Sequence, residues 1–225
     1  MTPAQDEARQ LKEHLYLLFA QIGGALANPH RLELLDLLIQ APHTVEELAG
    51  LAHLSVANAS QHLQRLKQAR LVWDERNGQT VRYCLSDPEV ATLYIELRRV
   101  AEQQLAEVEQ VLDRFRSHRN DFAPISVEEV EEGIGRDEIV LIDARPADEY
   151  RAGHLPGAIS LPVEALAQRI DELPPGKIMV AYCRGPYCAD ADEALLLLSA
   201  YGYPVRRLEE GVSEWRQAGR ALEGS

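Results

Sequence analysis

The sequence predicts two domains of different class. A mainly α domain bearing one β-hairpin is followed by an α/β domain, a parallel sheet with helices on both faces. Three observations carry this. Apolar residues in the first half recur every three to four positions, broken by one Asn-Gly between two β-prone runs. In the second half strand-like and helix-like runs alternate. Between the halves, Ser117-His118-Arg119-Asn120-Asp121-Phe122-Ala123-Pro124 is polar and ends in proline, as linkers do. The expected limits are 1–116 for the first domain, 117–124 for the linker and 125–225 for the second. The chain has 225 residues, 46% hydrophobic and 26% charged, which is enough for two small cores.

Each element has a local cause. Leu11, Leu15, Leu18 and Ile22 form one apolar stripe of a first helix. Asn28-Pro29 starts a second, with Asn as cap and Pro in the first turn. Its inner face is Leu32, Leu35, Leu38 and Ile39. Thr44-Val45-Glu46-Glu47 fits a capping box opening a short helix through Ala49. Ser55 caps another helix, whose apolar positions are Leu63 and Leu66. Leu71–Arg76 and Thr80–Leu85 then make a hairpin through Asn77-Gly78. After Asp87-Pro88 one long helix is expected to about Arg116, with a stripe of Leu105, Val108, Leu112 and Phe115. Helix, short turn, helix and hairpin are the layout of a winged helix-turn-helix. Beyond the linker, Ile139–Ile142, Ile178–Tyr182 and Val205–Leu208 read as strands. Val127–Glu132, Pro162–Asp171 and Ala189–Tyr201 read as helices.

Charge is unevenly spread. The net charge of −13 divides into 13 basic against 16 acidic residues over 1–120, and 10 against 20 over 121–225. Within 54–82, Arg65, Lys67, Arg70, Arg76 and Arg82 face only Asp74 and Glu75. Such a local basic patch suits contact with nucleic-acid phosphates. No run approaches the ~18 apolar residues of a membrane span, and Met1–Glu7 has no signal-peptide pattern. Three cysteines, an odd number, argue against a disulfide framework. The expectation is a cytoplasmic protein with no membrane partner.

The first half resembles the ArsR family of bacterial repressors over roughly residues 8–115. Three runs carry the resemblance. They are Leu26-Ala27-Asn28-Pro29-His30-Arg31-Leu32-Glu33-Leu34-Leu35, Thr44–Ala49, and Leu54-Ser55-Val56-Ala57-Asn58-Ala59-Ser60-Gln61-His62-Leu63. The resemblance implies a homodimer on a double-stranded DNA operator with an inverted repeat. In that fold the start of the second helix enters the major groove. Asn58, Ser60, Gln61 and His62, with Arg65, are then the DNA-facing set. Asn and Gln can read adenine, and Ser can serve either base type. Arg76 and Arg82 on the hairpin would reach the backbone or minor groove. Members of this family often sense metals, through Cys-x-Cys before the recognition helix or through Asp and His on the last helix. Here residues 36–54 hold no cysteine and 88–117 no histidine, so no metal site is expected. Cys84, between Tyr83 and Leu85, reads as a structural strand position.

The second half resembles the rhodanese domain over about residues 125–222. Four segments carry this: Leu141-Ile142-Asp143-Ala144-Arg145; Glu149-Tyr150-Arg151-Ala152-Gly153-His154-Leu155-Pro156-Gly157-Ala158; Cys183-Arg184-Gly185-Pro186-Tyr187-Cys188; and Glu210-Gly211-Val212-Ser213-Glu214-Trp215. The last departs from the family's Gly-Gly-x-x-x-Trp, with Glu210 at its first position. The resemblance implies that Cys183 carries sulfane sulfur as a persulfide. The six-residue loop resembles sulfur-transfer relatives rather than those acting on phosphate esters. Cys183 sits between a strand and a helix start, where backbone N–H groups and the helix dipole favour the thiolate. Arg184 would place a cation near an anionic donor such as thiosulfate or a polysulfide. Gly185, Pro186 and Tyr187 shape the loop, and Asp143 with Arg145 supports it. Cys188 closes the loop, able either to pack or to resolve a persulfide on Cys183.

Three readings compete, none needing a cofactor. In one, a transcriptional repressor senses sulfane sulfur or thiol redox state through Cys183, as a persulfide or a Cys183–Cys188 disulfide. In another, an active sulfurtransferase is tethered to a DNA-binding dimer. A third treats the rhodanese fold as an interaction module.

Overall fold

A computed structural model describes residues 3–78, 80–117, 122–185 and 187–224, with only the backbone of 3, 4, 77 and 115–117. The chain divides into two compact units, 1–101 and 102–225.

The first unit opens with α1 (Pro3–Leu26) and α2 (Pro29–Gln40). Asn28 caps α2, its Oδ1 accepting the Arg31 N–H at 3.2 Å. A short strand β1 (His43–Thr44) leads into α3 (Val45–Leu51). The expected capping box is present. Thr44 Oγ1 accepts the Glu47 N–H at 3.2 Å, and the Glu47 carboxylate accepts the Thr44 N–H at 2.8 Å. α4 (Val56–Gln68) follows, with Ser55 Oγ accepting the Asn58 N–H at 3.3 Å. The hairpin is β2 (Val72–Asn77) and β3 (Thr80–Leu85), antiparallel, with β1 added on the far side of β3. Leu34, Leu35, Leu48, Leu63 and Leu66 are fully buried, and Leu71, Val72 and Tyr83 close the core. This is a winged helix-turn-helix.

The single long helix expected to residue 116 is instead two. α5 (Pro88–Gln104) and α6 (Ala106–Ser117) meet at Leu105, whose carbonyl accepts the Val108 N–H at 2.9 Å. No proline or glycine stands there, and nothing in the local sequence explains the break. Of the expected stripe, Val108 and Leu112 therefore lie on α6, Leu105 stands at the break, and the Phe115 side chain lies outside the described residues. So do residues 118–121 of the expected linker.

The second unit adds β4 (Pro124–Ile125), α7 (Val127–Gly135), β5 (Ile139–Asp143), α8 (Ala147–Ala152), β6 (Ile159–Ser160) and α9 (Val163–Arg169). It ends with β7 (Ile178–Tyr182), α10 (Asp190–Ala200), β8 (Val205–Leu208) and α11 (Val212–Gln217). The sheet order is β4-β8-β7-β5-β6, and every pairing is parallel. Alternate residues of β7 enter opposite cores. Met179 and Ala181 pack with Leu166, Leu195 and Leu198, while Val180 and Tyr182 pack with Val130 and Trp215. Helices therefore cover both faces, as the run alternation predicts. The central strand β7 ends at Tyr182, so the cysteine loop leaves the carboxyl edge of the sheet. In parallel sheets ligand sites form at that edge.

Candidate functional site

Cys183 is the first residue beyond β7 and is only 3% exposed. As a thiol it donates to the Gly185 carbonyl oxygen at 3.8 Å. Burial alone would raise its pKa. A hydrogen bond from the Cys188 thiol, with others from backbone groups of Ala191 and Gly185, outweighs that and holds Cys183 below the ordinary thiol range. Ala191 lies in the first turn of α10, so the helix start contributes as its geometry requires. Cys188 moves the other way. Its bond to Cys183 and its burial push its thiol up, with only Arg184 opposing. The two sulfurs form an asymmetric pair, with the Cys183 thiol lowered and the Cys188 thiol raised.

Arg184 is tied to carboxylates. Its Nη2 meets Glu149 Oε1 at 2.6 Å, its Nε meets both Glu149 oxygens at 3.0 Å, and its Nη1 meets Asp190 Oδ2 at 3.1 Å. The same Nη1 lies 3.8 Å from Cys188 Sγ. Glu149 is fully buried. Below the loop, Arg145 donates to Asp143 at 2.6 Å and to the Gly153 carbonyl at 2.8 Å. Tyr182 Oη donates to Asp143 at 2.7 Å and accepts the Leu155 N–H at 3.1 Å. Burial opposes the Arg145 charge, and Asp143 more than restores it.

Two glycines shape the loop. Gly185 has φ +152°, and a Cβ there would come within 3.0 Å of Glu214 Oε2. At Gly211 a Cβ would lie 2.5 Å from the Arg184 carbonyl carbon and 2.6 Å from the Cys183 oxygen. The glycine before Trp215 thus exists to let the loop backbone pass. Tyr187 is 36% exposed at the loop surface, and Pro186 lies outside the described residues.

On the first unit, α4 buries Ala59, Leu63 and Leu66. Asn58, Gln61 and Arg65 are exposed on the opposite side, while Ser60 and His62 are half-buried on its flanks. The His62 ring lies 5.4 Å from that of His30, centroid to centroid. Burial first, then His30 and Arg31, hold His62 below the ordinary histidine range. Arg76 is exposed on β2. Arg82 donates to the Pro42 carbonyl at 3.0 Å and pairs with Glu47 at 3.4 Å, joining the wing to α3. Burial pushes the Cys84 thiol up.

Comparison with known proteins fits both halves. Residues 28–73 match the description "Bacterial regulatory protein, arsR family", and residues 126–218 match "Rhodanese-like domain". The HTH-type transcriptional regulator Rv0324 of Mycobacterium tuberculosis (strain ATCC 25618 / H37Rv) is 39% identical over 200 residues. That match spans 89% of this chain and 88% of the relative. The chain belongs to the arsR family of transcriptional regulators, with a rhodanese-like domain. A sulfurtransferase of Allochromatium vinosum is 30% identical over 83 residues, 37% of this chain and 77% of that one. A solved homodimeric winged helix-turn-helix DNA-binding domain, Mb0332 of Mycobacterium bovis, is 36% identical. It covers 43% of this chain and 89% of its own, with TM-score 0.41.

In this arsR-family regulator the structure brings Cys183, Arg184 and Cys188 together on one loop over Asp143 and Arg145. Sequence reasoning missed Glu149 and Asp190 as the partners of Arg184. Glu149 lay in view at the head of the Gly153-His154 segment, but nothing local pairs it with a residue 35 positions away. It also missed Gln64, whose Nε2 donates to Tyr83 Oη at 3.1 Å across to the wing. Among the described residues no group of three or more His, Cys, Asp or Glu is placed to hold a metal ion, and no helix is long and apolar enough to cross a membrane.

Proposed function

We propose that this DNA-binding regulator is a cytoplasmic homodimeric repressor whose Cys183 senses sulfane sulfur. The observation that carries the reading is the asymmetric thiol pair: a lowered Cys183, bonded by a raised Cys188, at the head of α10. The Cys183 thiolate attacks a terminal sulfur of a polysulfide. A donor S–S bond breaks, the shortened polysulfide leaves with the electron pair, and Cys183 becomes a persulfide. Cys188 then attacks the Cys183 Sγ, and sulfide departs with the Cys188 proton. The product is a Cys183–Cys188 disulfide. At 3% exposure Cys183 admits slim donors in preference to bulky disulfides. Arg184, neutralised by Glu149 and Asp190, acts on Cys188 rather than on a distant donor charge.

The DNA-facing set is Asn58, Ser60, Gln61, His62 and Arg65 on α4, with Arg76 and Arg82 on the wing. The operator is an inverted repeat. Dimerisation is supported by α1, which exposes Leu11, Leu15, Tyr16, Leu17, Leu18 and Phe19. That much apolar surface on one helix calls for a partner. The working domain limits are 1–116 and 125–225, joined by 117–124.

The test is Cys183→Ser. Polysulfide should release the wild-type protein from its operator and leave the variant bound; equal release from both would overturn the sensor. A second reading, a sulfurtransferase tethered to a DNA-binding dimer, has support in the similarity to the Allochromatium vinosum sulfurtransferase. It predicts robust thiosulfate-to-cyanide turnover lost with Cys183. Background turnover beside tight operator binding favours the sensor.

A further inference from the structure

The winged unit carries a cleft that, of the DNA-facing set, only Arg65 lines. Its volume is about 480 Å³, and it is lined by Gln21, Gly24 and Ala25 of α1, Arg31 of α2, and Arg65 and Gln68 of α4. No lining residue is acidic. Arg65 is exposed, and among the described residues it has no carboxylate partner. Arg31 is half-buried and fixed in place. Its Nη2 donates to the Gly24 carbonyl at 2.9 Å and its Nε to the Ala25 carbonyl. Among the described residues no carboxylate pairs with Arg31, and its Nη1 edge takes no acceptor.

Position indicates what the cleft receives. Gln61, Arg65 and Gln68 are spaced four and three apart, so they share one stripe of α4. The cleft therefore continues the base-facing stripe by roughly 10 Å toward the C-terminal end of the helix. Two guanidiniums and two amides, with no acid, suit a tetrahedral oxyanion. A recognition helix seated in a groove meets backbone phosphates at the groove edge.

We propose that Arg31 and Arg65 form a phosphate clamp, in which the cleft between α1, α2 and α4 holds a backbone phosphate of the operator. The clamp rests on the reading of α4 as the recognition helix. It also ties α1, the helix with the exposed apolar face, to bound DNA through the Gly24 and Ala25 carbonyls.

Operator affinity of the full-length protein, measured against salt concentration, tests this. Arg65→Gln should weaken binding to all sequences alike and reduce the log–log salt slope by about 1. Arg31→Gln should do the same, with a thermal melt to check its fold. Gln68→Glu, an exposed change that puts a negative charge in the cleft, should weaken binding at least tenfold without touching α1. Unchanged affinity and slope in Arg65→Gln and Gln68→Glu would overturn the clamp. Inorganic phosphate, titrated at constant ionic strength, separates the two sources of the oxyanion. Calorimetric binding lost in Arg65→Gln, with an unaltered DNA salt slope, would overturn DNA as the source and make the site one for a soluble oxyanion. Gln61→Ala is the control for the underlying reading. It should alter base preference whether or not the clamp exists; no change in preference would fault the recognition-helix assignment instead.

Discussion

The two units handle polar chemistry in opposite ways. Among the described residues the winged unit buries only Gln40 and His43 as polar groups. The rhodanese-like unit buries Asp143, Arg145, Glu149, His154, Asp192, Arg207 and Ser213. The winged unit keeps its working groups on the surface of an apolar scaffold, as a protein that meets a large polyanion must. The rhodanese-like unit holds its working sulfur inside a net of buried ion pairs. Function in the first should respond mainly to exposed substitutions, and in the second to buried ones.

The largest expected effect probes the buried net. Asp143→Ala removes the nearer of the two carboxylates that face Arg145, leaving Glu149 at 4.0 Å, and takes away the acceptor of Tyr182. It should destabilise the rhodanese-like unit by about 3–5 kcal/mol, as breaking a buried ion pair does. Denaturant unfolding followed by tryptophan fluorescence would show it. A loss under 1 kcal/mol would mean the net is not what holds the loop.

A smaller effect concerns the thiol pair. Cys188→Ala removes the donor that opposes burial at Cys183, so the Cys183 pKa should rise. Each unit of rise cuts the thiolate at neutral pH by about tenfold. Iodoacetamide labelling of Cys183 against pH should therefore shift to higher pH. An unshifted profile would give the loop backbone the whole effect.

The smallest effect lies on the winged unit. Burial, His30 and Arg31 depress the His62 pKa, so the folded state favours the neutral ring. The stability this contributes is therefore present above the unfolded value near 6.5, and is lost as pH falls through the folded pKa. His62 is half-buried on the flank of a surface helix and keeps contact with solvent, so the change is slight. His62→Gln should flatten the fall in urea midpoint on acidification; an identical fall in both proteins would place the titration elsewhere.

How much was legible in the sequence follows the same division. Caps, capping box and hairpin are local features, so Asn28, Thr44, Ser55 and Asn77-Gly78 could be placed from the sequence alone. The two-residue strands β1, β4 and β6 were not, because each exists only through pairing with a distant strand. The cysteine loop was legible as strand, sulfur and helix start. Its electrostatics were not, because Glu149 reaches Arg184 from another helix and Gly211 opens space for the Arg184 backbone from 27 residues away. The helix break at Leu105 had no signal at all.

The central claim is that Cys183 is the input of a DNA-binding regulator. It is tested most directly by mass spectrometry of Cys183 and Cys188 after polysulfide treatment, run beside an operator-shift assay on the same samples. The account predicts a persulfide on Cys183 or a Cys183–Cys188 disulfide, rising in step with the released fraction. Release with both cysteines unmodified, or full modification with the operator still bound, would contradict it.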